Sequence, residues 1–287
     1  MSIEQYWAPQ TLPEALEHLR TQDVTILAGG TDLMVQSHAG RAKMGSGLLN
    51  IRRIGELHTI ERDGEGVRIG ALCTMNELQR DPLIQQHFDI MLQACDHFAS
   101  DQLRNNATIG GNVCNASPAG DSLVPLLVLD AQVELQSKPN GSAQVRRVPL
   151  AEFITGPGKT LRTAHELVTA LWLPVPKAGF VGRFYKFGTR PALDISAISI
   201  GIGGVRQGQT LSDVRLAYGA VAATPMRCKG AEAVLEGQAL DAPTMLAVAA
   251  AARDEVRPID DVRASAWYRR ELVHNMTLRM LQDESQT

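Results

Sequence analysis

Along the chain, the spacing of apolar residues switches repeatedly between a helical and an extended period. Ala15, Leu16 and Leu19 give a short stretch one apolar face. With Thr11 and Glu14 at capping-box spacing and Pro13 in the first turn, they predict a helix ending near Gln22. Val24, Thr25, Ile26 and Leu27 begin a run that predicts a strand stopping at Gly29-Gly30, with Thr31 and Asp32 placed to cap a following helical turn. Residues 48–54 and 66–72 alternate as strands do, Thr74 and Glu77 form a second capping box, and residues 83–99 return to helical spacing.

Residues 105–122, NNATIGGNVCNASPAGDS, interrupt this pattern: a small-sided polar loop stands directly before the apolar run 123–129. A helix is predicted over 122–129. Strands are predicted at 131–137 and 145–150, with Asn140-Gly141 as the hairpin turn between them. Pro174, Pro176 and Gly179 predict a boundary, with a second domain beginning near residue 177. Strands follow at 182–188, 195–205 and 214–222. The last part of the chain, from Cys228, is rich in Ala and Leu at helical spacing, with Pro243 at a helix start. The pattern is that of mixed α and β structure in two domains, in keeping with 287 residues.

Charge and composition narrow the function. With 28 basic against 31 acidic residues the formal charge is -3, and no dense basic tract is present. Nucleic acid and anionic membranes are therefore not expected partners. The first residues hold neither a basic nor an apolar leader segment, and nowhere do 18 apolar residues run together, so a soluble, cytoplasmic protein is expected. Cys73, Cys95, Cys114 and Cys228 form no C-x-x-C pair, which argues against zinc or a self-contained iron-sulfur cluster and favours buried free thiols.

Three familiar motifs fail on spacing. GPGKT at 156–160 ends like a phosphate loop, but Phe153 stands where its first glycine belongs, and GIGGV at 201–205 has Arg206 in place of the third glycine of a dinucleotide fingerprint. The seven histidines fall in no metalloprotease or acyl-transfer motif. What remains are two glycine-paired loops, residues 27–33 and 108–121. Paired glycines let backbone N–H groups approach an anion, and Thr, Asn and Ser add donors. Either loop alone reads as a tight turn; two together suit a pyrophosphate.

LAGGTDL (27–33), TIGGNVCNASPAGD (108–121) and YKFGTRPALDIS (185–196) resemble the signature segments of the FAD-binding subunit of the molybdenum hydroxylases, the xanthine dehydrogenase and carbon monoxide dehydrogenase family. The likeness extends over nearly the whole chain, including ATPMRC at 223–228 and the closing helix at 267–281. GPGK at 156–159 and ALDIS at 192–196 resemble the xanthine dehydrogenase-like members more closely. The resemblance implies an α+β fold: a two-part FAD-binding domain of the vanillyl-alcohol-oxidase (PCMH) type over residues 1–176, with subdomains of about 1–55 and 56–176. A smaller α+β C-terminal domain, an antiparallel sheet with helices, follows over residues 177–287.

The resemblance also implies a site. Leu27, Ala28, Gly29, Gly30, Thr31, Asp32 and Leu33, with Thr108, Ile109, Gly110, Gly111 and Asn112, would hold the FAD pyrophosphate, largely through backbone amides, and Asn115 and Ser117 extend that loop. Asp121 matches a carboxylate that bonds a ribitol hydroxyl; as a residue it also suits a helix N-cap. Lys186 matches a cation beside the flavin, though by itself it reads as an exposed strand lysine. Ile195 and Val168 match apolar contacts to the ring, and read otherwise as ordinary core. The function implied is electron transfer: a molybdenum-cofactor large subunit acts on the substrate, a small subunit with 2Fe-2S clusters relays electrons, and the flavin passes them to NAD or another acceptor. Two alternatives stay open on the residues alone, a flavin reductase of the UDP-N-acetylenolpyruvoylglucosamine reductase type and a non-enzymatic phosphate-ligand module.

Overall fold

The computed structural model describes residues 3–42, 44–190 and 193–286; Pro191 and Ala192, in the third signature segment, lie outside the described residues. The chain begins with β1 (Gln5–Trp7), α1 (Leu12–Thr21), β2 (Val24–Leu27), α2 (Leu33–His38) and β3 (Gly47–Asn50). The helical crossovers make the three strands parallel, with β3 in the middle. The buried face of α1, Leu12, Ala15, Leu16 and Leu19, packs with Leu49, Ile51, Ile54 and Leu57, and with Leu72 and Leu167 from further along the chain. The capping box expected at Thr11 does not form. Thr11 makes no side-chain cap: the Glu14 carboxylate accepts the Gln10 N–H at 3.1 Å in place of the Thr11 N–H, and the Leu12 N–H is taken by the Glu56 carboxylate at 3.0 Å.

The middle of the chain supplies β4 (Ile60–Asp63), β5 (Gly66–Gly70), α3 (Met75–Arg80), α4 (Pro82–His87), α5 (Asp89–Asp96), α6 (Asp101–Arg104), α7 (Ile109–Asn115) and α8 (Leu123–Val128). It ends with β6 (Gln132–Ser137), β7 (Gln144–Pro149), α9 (Leu150–Phe153), the hairpin β8 (Ile154–Gly156) and β9 (Lys159–Thr160), and β10 (Leu167–Pro174). Here the capping box forms, with Thr74 and Glu77 bonding reciprocally. The helix expected over 83–99 breaks at Phe88, whose backbone leaves the helical region (φ -133°, ψ 53°) while the residue stays 1% exposed. A five-stranded antiparallel sheet in the order β4-β5-β10-β6-β7 closes over this helical layer. Leu171 to Pro174, expected at a boundary, are the second half of its central strand; the proline is tolerated because it ends the pairing, opposite Gly66.

The remainder is β11 (Phe180–Phe187), β12 (Ile198–Gln207), β13 (Thr210–Gly219), β14 (Met226–Arg227), α10 (Lys229–Leu235), α11 (Ala242–Glu255) and α12 (Ala266–Ser285). The strands form an antiparallel sheet in chain order. One face packs on α10 to α12 through a core that includes Ile200, Leu216, Val248 and Val273. The other lies against α8, and the GIGGV stretch has its explanation there: a Cβ at Gly201 would sit 2.9 Å from Val124, and one at Gly203 would sit 2.5 Å from Val128. Glycines let the helix lie flat on the strands.

Candidate functional site

A cleft of about 1620 Å³ opens between these layers, lined by the turn after β2, by α7 and the loop following it, by the β8-β9 hairpin and by residues 257–263. Single-ligand pockets measure roughly 300–1,000 Å³, so there is room for an extended dinucleotide and access beside it.

The residues expected to form one site divide. Ala28, Gly29, Gly30, Thr31, Asp32, Leu33, Thr108, Gly110, Gly111, Asn112, Asn115, Ser117, Val168 and Ile195 all line the cleft. Leu27, Ile109, Asp121 and Lys186 do not. Ile109 is fully buried in the central core, anchoring α7.

The two glycine pairs also differ in what they offer. Residues 109–115, expected as loop, are helical because Thr108 caps them, its hydroxyl accepting the Gly111 N–H at 3.1 Å, while Ile109 and Val113 are buried. The pair follows α6 and a turn, whereas Gly29-Gly30 follows the strand β2. Its amides are spent within the protein: Ile109 N–H donates to the Cys73 carbonyl, Gly110 N–H to the Ala71 carbonyl and Asn112 N–H to the Thr108 carbonyl. A Cβ on Gly110 would lie 2.6 Å from the Ala71 Cβ, so that glycine serves close packing. In contrast, among the described residues the backbone amides of Gly29, Gly30, Thr31 and Asp32 have no acceptor, and Gly30 takes φ +74°. A cleft-lining turn with free N–H groups is a cradle for an anion. The amides of residues 29–32 are therefore available to an anion, whereas those of residues 109–112 are bonded within the protein and leave side chains such as those of Asn112 and Asn115 facing the cleft.

Charge in the cleft matches an anionic ligand although the chain as a whole carries -3. Arg41, Lys159, Arg162, Arg257, Arg263 and Arg269 line it against Asp23, Asp32 and Asp261. Sequence reasoning missed these cations because they come from separate segments and share no spacing; only Lys159 had a local signal, in GPGK, which served the resemblance and not the site. Arg269 is 2% exposed, its guanidinium bonding the carbonyls of Ala197 and Ile259 and both oxygens of Asp261, so it braces the cleft wall. The free thiols are not all buried: Cys73, Cys95 and Cys228 are, whereas Cys114 is exposed and lines the cleft.

Asp121 and Lys186 meet each other. The ammonium donates to Asp121 Oδ2 at 2.6 Å, and both side chains are about nine-tenths buried. Burial pushes the Asp121 carboxyl above its usual range despite the opposing pull of Lys186 and Ser196. Lys186 is thus no exposed strand lysine. Asp121 caps no helix either, since Ser122 holds the N-cap position of α8.

The free amides of residues 29–32, the basic lining and the half-exposed Ile195 make the cleft chemically suited to an anionic dinucleotide such as FAD. Comparison with known proteins agrees. Residues 1–176 match the FAD binding domain in molybdopterin dehydrogenase, and residues 183–283 match the CO dehydrogenase flavoprotein C-terminal domain. The putative xanthine dehydrogenase FAD-binding subunit of Escherichia coli K12 is 34% identical, covering 97% of this chain and 94% of its own length. The carbon monoxide dehydrogenase medium chain of Hydrogenophaga pseudoflava is 30% identical over 96% of this chain and 95% of its own. A solved structure of that organism's carbon monoxide dehydrogenase superposes with a TM-score of 0.91, covering 97% of this chain and 96% of that one. With two family domains in order and relatives aligned nearly end to end, this α+β chain belongs to the FAD-binding subunits of the molybdenum hydroxylase family, and is an oxidoreductase subunit whose cofactor is FAD.

Proposed function

We propose that the chain is the electron-transfer subunit of a xanthine dehydrogenase-like molybdenum hydroxylase. It receives electrons from the 2Fe-2S clusters of a small subunit and passes them to NAD or another acceptor, while a molybdenum-cofactor large subunit acts on the substrate. The observation that carries this reading is the basic cleft with its unpartnered amides at residues 29–32, in a chain whose relatives are named as subunits or medium chains of dehydrogenases. The bound flavin supplies a ring that takes up and releases electrons. The chain's own residues hold it: amides of Gly29 to Asp32 and the cations Arg41 and Lys159 at the phosphates, Thr31, Asn112, Asn115 and Ser117 as further donors, and Val168 and Ile195 as apolar surface for the ring. Leu27 and Ile109 support those turns from behind. Residues 1–176 are the FAD-binding domain and 177–287 the C-terminal domain in this reading.

No described helix is long and apolar enough to cross a membrane. The test is reconstitution. The isolated chain, yellow with flavin, is expected to show no hydroxylation of purines or other N-heterocycles; its flavin should be reduced by such a substrate only after the molybdenum and 2Fe-2S subunits are added. Hydroxylation by the isolated chain, verified free of molybdenum and iron, would overturn the reading.

A further inference from the structure

We infer that Asp121, Lys186 and Ser196 form a positioning latch that holds the segment carrying Ile195 in place at the cleft. Asp121 lies between α7 and α8, Lys186 in β11 and Ser196 just before β12. The carboxylate joins all three: Oδ2 accepts the Lys186 ammonium at 2.6 Å and Oδ1 accepts the Ser196 hydroxyl at 2.8 Å. Lys186 also donates to the His97 carbonyl at 3.2 Å, and Ser196 is fully buried. The neighbour of Ser196 is fixed from the other side. Ala197 N–H donates to the Phe187 carbonyl at 2.8 Å, and the Ala197 carbonyl accepts from Arg269 Nε at 3.0 Å. Ile195 directly precedes Ser196, is 50% exposed and lines the cleft.

A buried ion pair adds little net stability against the cost of desolvating both charges, but it is unforgiving of displacement once formed. Its effect here is geometric. Ser196 can satisfy its buried hydroxyl only where Asp121 holds an oxygen for it, and Asp121 is held in turn by Lys186. Ile195 therefore presents its side chain at one position relative to α7 and the free amides of residues 29–32. Asp121 and Lys186 act on Ile195 through Ser196, as positioning residues. The latch rests on the cleft being the flavin site.

Hydrogen exchange on the purified full chain with its FAD tests the latch, read at the Ala197 amide. Ser196→Ala removes the link to the segment while leaving the ion pair. Asp121→Asn combined with Lys186→Met removes both charges at nearly constant volume, so it avoids a lone buried charge. In both variants Ala197 should exchange about tenfold faster or more, with the amides of β6 unchanged, and iodide should quench the bound flavin's fluorescence more readily. Unchanged protection at Ala197 in both, acceleration shared equally by β6, or loss of FAD without a change at Ala197 would each overturn the latch. The exchange is read without partner subunits, so failure here is distinct from failure of the electron-transfer reading.

Discussion

The α-carbon of Gly29 faces the carbonyl oxygen of Asn106 so closely that a methyl group on it would lie 1.9 Å from that oxygen. The turn after β2 and the chain entering α7 thus touch through a position only glycine can fill, and this contact fixes one side of the cleft. Gly29→Ala should cost about 1–3 kcal/mol of stability by overpacking and sharply reduce FAD content. Gly55→Ala, where nothing lies within 4 Å, is the control. Thermal melting and flavin-to-protein ratio measure both; full FAD occupancy in Gly29→Ala would mean that the two loops can separate without harm to the site.

Arg41 and Lys159 line the cleft with no ion pair among the described residues, so their fields are available to a bound pyrophosphate. Replacing both by Gln should weaken FAD binding by roughly five- to tenfold and flatten its dependence on salt. Fluorescence titration of the apo chain at two ionic strengths gives the answer, and an unaltered salt slope would remove these two cations from the site.

Stability in acid should report on Glu166. Arg146, at 2.5 and 2.8 Å, and the Thr163 N–H at 2.8 Å hold its carboxyl down to about 2, against 4.5 for a free one. A carboxyl lowered on folding stabilises above its unfolded pKa and loses that contribution as the pH falls through its folded one. The gap in urea midpoint between the parent and Glu166→Gln should accordingly be constant above about pH 4.5 and close toward pH 2. A gap as wide at pH 2 as at pH 7 would show that the ion pair is not its origin.

In the C-terminal part, the Tyr218 and Thr277 hydroxyls hydrogen-bond at 2.8 Å with both residues fully buried. Tyr218→Phe leaves the Thr277 hydroxyl unsatisfied and should cost about 1–3 kcal/mol with FAD content unchanged. Denaturant unfolding with flavin absorbance monitored in parallel distinguishes the two effects, and a drop in FAD content would tie this core to the cleft.

What the sequence by itself determined is what near neighbours decide. The Thr74-Glu77 capping box, the Asn140-Gly141 turn, the helix starting beside Pro243 and the glycine turn at 29–30 each depend on residues within a turn of one another, and signature segments 27–33, 108–121 and 185–196 carried the resemblance to the family. Only the tertiary structure decided how such pieces are used. Gly110 packs on Ala71 and its amide is consumed there, whereas the amides of Gly29 to Asp32 stay free. Asp121 and Lys186, 65 residues apart, pair with each other at 2.6 Å. The first free N–H of α1, that of Leu12, finds its acceptor in Glu56, 44 residues further along the chain. Backbone amides and buried charges bond whatever acceptor packing brings within about 3 Å, and periodicity along the chain carries no record of which distant segment that will be.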